Sequence, residues 1–380
     1  MGREERIIVL PFLLAFGGVE RLVVGLSRFL RERDQPHRIL CFESTIDLGK
    51  LAGWPIEVEV LPSPRNPLAE AWALHRRLRP VTSRPLFFDL KGAFYAALAN
   101  ARDYHVHLTD PPSLLPRDLS KLAPSARRAH APLRTSAPAP LVRMLRAEAV
   151  HQVNRRGVRR AAGVVAMTHA IAAELSDLYD VRPQIVRPGV RPPAVAPAAA
   201  LTARPPRFLS LSRLEPNKRI DWILRALVSL ADRDWQLDVV GDGSERAQLE
   251  ALTVELGLAG NVRFHGRVSD AEVEALWAAS TLFLMPAVQG YGLPALEALA
   301  RGVPVVLHRD SGVAEILGGT LWVEILADGG EALTFAIARM VQRQRSGELE
   351  RASRPPVPTE HDWAAQLCAA CGWTDQALVE

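Results

Sequence analysis

Apolar residues fall along this chain in short unbroken runs, and between the runs they recur at helical spacing. An unbroken run marks a strand buried on both faces. Its alternation with amphipathic helices predicts an α/β protein built on doubly wound parallel sheets. In the first half the expected strands are Arg6–Pro11, His37–Phe42, Ile56–Leu61, Leu86–Leu90, His105–Thr109, Gly163–Thr168 and Gln184–Arg187. A helix is expected over Val19–Arg33, opened by the pair Gly17-Gly18. The second half alternates almost without gaps. Strands are expected at Phe208–Leu211, Gln236–Val240, Val262–His265, Leu282–Met285 and Val303–Leu307, and helices at Arg219–Ala231, Ser244–Leu256, Asp270–Ala278 and Pro294–Arg301.

The pattern breaks at "RPPAVAPAAALTARPP", residues 191–206, where proline and alanine lose all periodicity and read as a linker. The expected organisation is therefore a first α/β domain over 1–190, a linker over 191–206 and a second α/β domain over 207–350. A terminal segment over 351–380 ends in a helix that packs back toward the first domain. Two such domains would face a central cleft, with ligands at the carboxyl ends of the strands. Residues 110–139, rich in Pro, Ser and Arg, are expected to form a long loop.

Composition adds limits. The 380 residues suit about two domains, and 48% hydrophobic with 23% charged residues is ordinary for a globular chain. Three cysteines are too few for a disulfide framework, which points to a reducing cytosol. Cys368 and Cys371 form a CxxC without a second ligand pair, inside what reads as an amphipathic helix, so packing is expected. No apolar run approaches the ~20 residues that cross a bilayer. The opening "MGREERIIVLPFLLAFGG" reads as a first buried strand rather than a signal peptide. Net charge is only +4, but residues 117–160 hold eleven Arg or Lys against two acids. That bias suits a solvated basic surface or an anionic membrane face. Without interleaved aromatics or a recognised module it does not suit nucleic acid.

Chemistry concentrates in three loops of the second half. "SRLEPNKRID" places Arg213 and Lys218 beside a helix start, where a forked donor, a point charge and a dipole together suit a diphosphate. "VVGDGSE" is a strand, a glycine turn and a helix start, a weak signal that reads best as a tight turn at Asp242. "MPAVQGYGLPALEALARGVPVV" turns sharply after Met285. Gly290 and Gly292 there remove side chains where backbone amides could meet an anion, and Pro294 sits in the helix's first turn. Gln289 stands at the lip of this loop. Glu297 lies a turn into the helix, able to accept hydrogen bonds from a ribose diol. No DxD pair or histidine cluster offers a metal site, and no cofactor is expected.

These motifs resemble the nucleotide-sugar domain of the retaining GT-B glycosyltransferases of family 4, the glycosyl transferases group 1. "QGYGLPALEALARGVPVV" is similar to that family's E-x7-E element, and "NVRFHGRVSDAEV" to its base-side segment. "GGVERLV" and "VVAMTHAIAAELSDLYDV…IVRPGV" resemble segments of its first domain. The resemblance implies a GT-B fold of two Rossmann-like domains. It implies that Arg213 and Lys218 hold the donor diphosphate and that Gly17 and Gly18 approach the same phosphates. Gly266, Arg267 and Val268 would lie at the base, with Gly290, Tyr291, Gly292, Leu293 and Glu297 around sugar and ribose.

Two departures stand out. The family's first Glu is Gln289 here, which still accepts a hydrogen bond but supplies no negative charge. The family's His at the end of the fifth expected strand aligns with Thr109 in "YHVHLTDPPSLLP", leaving His107 or Asp110 as the alternative polar contact, and Asp110 as a candidate base.

The resemblance thus implies metal-independent transfer of a sugar, with retention, from a nucleotide-diphosphate donor to a glycan or lipid-linked acceptor. The setting would be bacterial surface-polysaccharide or glycolipid assembly, in the cytoplasm or peripheral at the inner membrane face. The alternative, raised by Gln289 and Thr109, is a non-catalytic or weakly active nucleotide-sugar-binding partner of another transferase. A sugar-nucleotide epimerase shares the architecture but matches these motifs less well.

Overall fold

The computed structural model describes residues 4–63, 66–114, 140–193, 205–230, 234–327 and 329–373. The chain divides into two units. The first comprises Met1–Pro188 and Glu360–Glu380, and the second comprises Gly189–Thr359. The crossings thus fall at Pro188/Gly189 and Thr359/Glu360, not at the ends of the proline-rich stretch. A physical reason is visible at Val190, whose N–H donates to Pro358 O at 2.9 Å and which bridges Thr359. Those backbone bonds hold both passing strands in the second unit. Most of the expected linker, residues 194–204, lies outside the described residues.

In the first unit, strands and helices run β1 (Arg6–Val9), β2 (Phe12–Leu13), α1 (Gly18–Glu32), β3 (His37–Cys41), β4 (Glu43–Ser44), α2 (Leu48–Ala52), β5 (Val58–Val60), α3 (Pro67–Leu78), β6 (Leu86–Phe88), α4 (Asp89–Leu98), β7 (His105–Leu108), α5 (Pro140–Arg159), β8 (Gly163–Ala166), α6 (His169–Tyr179) and β9 (Gln184–Ile185). The main sheet has the order β5-β3-β1-β6-β7-β8-β9 and is parallel throughout. Its strand order reverses between β1 and β6. The helix α1 buries Leu22, Val23, Leu26, Phe29 and Leu30 along one stripe, the spacing an amphipathic helix needs to cover a sheet.

In the second unit, β10 (Arg207–Leu211), α7 (Ile220–Val228), β11 (Gln236–Val240), α8 (Arg246–Glu255), β12 (Val262–Gly266), α9 (Asp270–Ala279), β13 (Leu282–Met285), α10 (Leu293–Ala300), β14 (Val305–His308), α11 (Ala314–Leu317), β15 (Val323–Leu326), α12 (Gly330–Arg345) and α13 (Glu348–Arg351) follow in turn. The sheet order is β12-β11-β10-β13-β14-β15, again parallel. This is a doubly wound sheet whose order reverses between β10 and β13. Both of those strands lie in the core, with Phe208, Leu209, Leu282, Phe283 and Leu284 at 1% exposure or less.

The last helix, α14 (Glu360–Ala370), belongs to the first unit and packs on α1. Glu360 pairs with Arg28, and the His361 ring lies 5.2 Å from the Phe29 ring. Cys368 and Cys371 are buried there as free thiols. Burial pushes the Cys368 thiol up to about 12, which suits packing rather than chemistry.

Candidate functional site

The site in the second unit is built from the two loops that flank its switch point. After β10, the chain passes from Ser212 to a 3-10 turn at Pro216–Lys218. This loop leans on the glycine turn after β11. Ser212 N donates to Val240 O at 3.1 Å, Leu214 N to Asp242 O at 3.0 Å, and Glu245 N to Leu214 O at 3.0 Å. The approach is so close that a Cβ on Gly241, whose φ is +126°, would sit 1.9 Å from Ser212 O. The GxG of "VVGDGSE" is thus a brace for the Arg213 loop.

Arg213 is exposed and donates to Glu215 Oε1 at 2.6 Å. A surface pair of this kind is worth about 1 kcal/mol or less, so the guanidinium can exchange its partner for an anion at little cost. Lys218 Nζ donates to Gln289 Oε1 at 2.9 Å. The next residue, Arg219, adopts a φ of +55°, and its Nη1 donates to Pro286 O at 3.3 Å while its guanidinium covers Trp222 at 4.2 Å. No local pattern singles out Arg219, yet it spans from one flanking loop to the other.

The second loop, after β13, is held from the far side. Gly312 N donates to Gln289 O at 3.2 Å, Val313 N to Tyr291 O at 2.9 Å, and Ser311 Oγ to Ala287 O at 3.0 Å. Gly292 caps α10 with a φ of +114°, a conformation that L side chains rarely adopt. Gln289, Gly290, Leu293 and Glu297 are all half-buried. Tyr291, expected beside the sugar, is 4% exposed. On the base side Gly266 is buried and accepts from Gly241 N at 2.8 Å, Arg267 is exposed and Val268 half-buried.

In the first unit Gly17 N donates to Glu20 Oε2 at 2.9 Å, fixing the turn into α1 that Gly18 begins. His107 is corrected. Its side chain is fully buried, with rings of Phe88 and Trp363 at 5.1 and 6.1 Å, and among the described residues neither ring nitrogen has a hydrogen-bond partner. Burial pushes its pKa down to about 3, so it is a neutral core residue and not a sugar contact. Thr109 lies beside it at the end of the strand. It is buried, and both its N–H, at 3.1 Å, and its hydroxyl donate to Asp89 Oδ1. Its hydroxyl proton is therefore given to Asp89. Asp110 remains half-buried at the strand end, close enough to Asp89 to raise that carboxyl's pKa. The sequence reading missed Asp89, hidden at the end of the apolar run "LFFDL".

Comparison with known proteins places this geometry. Residues 197–348 match the model of the glycosyl transferases group 1. The chain carries a group 1 glycosyltransferase domain. This domain contains both flanking loops, Arg213, Lys218, Gln289 and Glu297. The chain is 32% identical over 211 residues to the 2-deoxystreptamine glucosyltransferase of Streptomyces kanamyceticus, covering 51% of this chain and 54% of that protein. It is 34% identical over 170 residues to the GDP-mannose-dependent alpha-(1-6)-phosphatidylinositol monomannoside mannosyltransferase of Mycolicibacterium smegmatis, covering 42% and 43%. The match thus spans about half the length of these curated relatives. Anabaena HepE, solved with UDP and glucose, superposes with a TM-score of 0.69 at 15% identity, covering 97% of this chain and 99% of that one. That likeness shows the GT-B class of fold, two doubly wound α/β units in one chain.

Among the described residues no three His, Cys, Asp or Glu side chains converge on a common point that could hold a metal ion. No described helix is long and apolar enough to cross a membrane. Most of the basic stretch expected as a membrane face, residues 117–139, lies outside the described residues.

Proposed function

We propose that this protein is a retaining glycosyltransferase that moves a sugar from a nucleotide-diphosphate donor to a hydroxyl of a glycan or lipid-linked acceptor. The observation that carries the reading is the Lys218–Gln289 hydrogen bond, 2.9 Å long, joining the two loops that flank the switch point of the group 1 domain. Ligands of doubly wound sheets bind at such a point. Lys218 and Arg213 would neutralise the diphosphate as the bond to the anomeric carbon breaks, without a metal ion. Gly290 and Gly292 would bring amides to the same oxygens, and Glu297 would accept from the ribose hydroxyls. The acceptor oxygen then bonds to the anomeric carbon on the face the diphosphate leaves, and a diphosphate oxygen takes its proton. UDP and GDP are the first bases to test, because HepE was solved with UDP and the Mycolicibacterium relative is GDP-mannose-dependent. The reading places the enzyme in the cytoplasm, peripheral at the inner membrane face, in surface-polysaccharide or glycolipid assembly.

A second reading keeps donor binding but not turnover. It is favoured by Gln289, whose neutral amide oxygen meets Lys218 where the family places a carboxylate. A thermal-shift screen against UDP, GDP, ADP and dTDP, followed by donor hydrolysis, separates the readings. A shift that Lys218→Ala abolishes, with turnover and a product of unchanged anomeric configuration, is the expected result. A shift without turnover favours the binding partner. No shift with any nucleotide overturns both.

A further inference from the structure

The first unit has its own switch point, between β1 and β6, and it holds charges that the donor site does not use. Asp89 opens α4 directly after β6 with a φ of +62°. A side-chain-bearing residue in the left-handed region costs roughly 1–2 kcal/mol, so the position is held by its surroundings rather than by preference. The residue is half-buried. Its Oδ1 accepts both Thr109 bonds, and among the described residues its Oδ2 accepts none. Two residues on, Lys91 is also half-buried. Its ammonium makes no hydrogen bond or ion pair among the described residues and lies 5.8 Å from the Phe12 ring centroid.

A half-buried carboxylate and ammonium normally close on each other, because each loses hydration that only a partner restores. Here they feel each other without touching, and Glu20 and Asp110 add two more carboxylates to the neighbourhood. An open carboxylate oxygen accepts from a hydroxyl, and an ammonium donates to the oxygen of the next one. That pairing fits adjacent hydroxyls on a ring. It does not fit a phosphate, which three carboxylates would repel.

We propose that Asp89 and Lys91 recognise the acceptor, a polyhydroxylated ring such as a sugar or cyclitol, through adjacent hydroxyl groups at the switch point of the first unit. The inference rests on the glycosyl-transfer reading and names that reaction's acceptor contacts. Asp89 is a binding residue for the hydroxyl pair, and Thr109 positions it.

Saturation-transfer NMR on the full chain tests this with myo-inositol, methyl α-D-glucopyranoside, 2-deoxystreptamine and inorganic phosphate as probes. At least one ring should receive saturation from the wild-type protein. Its binding should weaken by at least about tenfold in Asp89→Asn and in Lys91→Met, each of which removes a hydrogen bond to a charged group. Asn tolerates the left-handed conformation and keeps an acceptor for Thr109, and Met keeps a stem over Phe12. Should either variant fail to fold, the other decides. Ring binding equal in wild type and variants, no ring bound by the wild type, or phosphate displacing the ring would overturn the proposal. The nucleotide thermal shift is read on the same samples. Its retention in both variants separates loss of this subsite from failure of the donor-site reading.

Discussion

Lys218 Nζ donates a 2.9 Å hydrogen bond to Gln289 Oε1 across 71 positions of sequence. The bond ties the loop after β10 to the loop after β13 through a neutral amide acceptor. Lys218 is thereby oriented by an uncharged amide oxygen.

Gln289→Glu should therefore raise turnover of the donor that gives the largest thermal shift. Negative charge near a developing oxocarbenium contributes a few kcal/mol, so an increase of roughly ten- to hundredfold in kcat is expected. Unchanged or slower hydrolysis would mean that Gln289 suits a different donor sugar.

Gly241→Ala should disable the donor site while leaving Arg213 and Lys218 in place in the sequence. The added Cβ would fall 1.9 Å from Ser212 O, a backbone atom that cannot swing aside. Loss of at least about 2 kcal/mol of stability is expected, in the manner of other overpacked sites. Chemical denaturation measures it, and the nucleotide-induced thermal shift should fall in parallel.

His107→Leu should be neutral or stabilising at pH 7, since an unpartnered buried imidazole contributes shape but no hydrogen bond. Its pKa is about 3 in the folded chain, against about 6.5 when unfolded. The folded value is the lower one, so the unfolded chain binds the extra proton between those limits. Stability from this group is full above about pH 6.5 and falls as the pH drops toward 3. Between pH 7 and 4 the wild type should lose on the order of 3 kcal/mol more than His107→Leu, read from urea unfolding at both pH values.

Asp89→Asn should stabilise the fold, and more so at high pH. Burial first, then the Asp110 carboxylate, raise the Asp89 carboxyl to about 7, against the lowering by Thr109 and Lys91. A folded value above the unfolded one means that stability falls as pH rises from about 4 to 7. A gain on the order of 1–3 kcal/mol at pH 8 is expected. At pH 5 the gain should be smaller. A gain independent of pH would contradict a raised carboxyl.

Much of this molecule is set by local pattern. The run "LFLM" is a strand at Leu282–Met285, and "QLDVV" a strand at Gln236–Val240, because a parallel sheet buries both faces and needs continuous apolar residues. The glycines around Tyr291 announced a sharp turn, and Gly292 indeed carries a positive φ. Arg213 and Lys218 could be singled out because they lie five positions apart in one loop. Other features depend on residues that are remote in sequence. The run "LFFDL" is apolar enough to continue as a strand, yet β6 stops at Phe88, where Asp89 turns to take Thr109. His107 lies among apolar residues in β7, but its role was decided by Trp363, a residue of the last helix that closes over the ring. The unit boundary follows from backbone pairing of Val190 with the segment ending at Thr359, not from the proline-rich stretch beside it. Periodicity and loop composition record what a residue needs from its neighbours in sequence. Which groups a charge such as Asp89 meets is settled only when distant strands and helices come together.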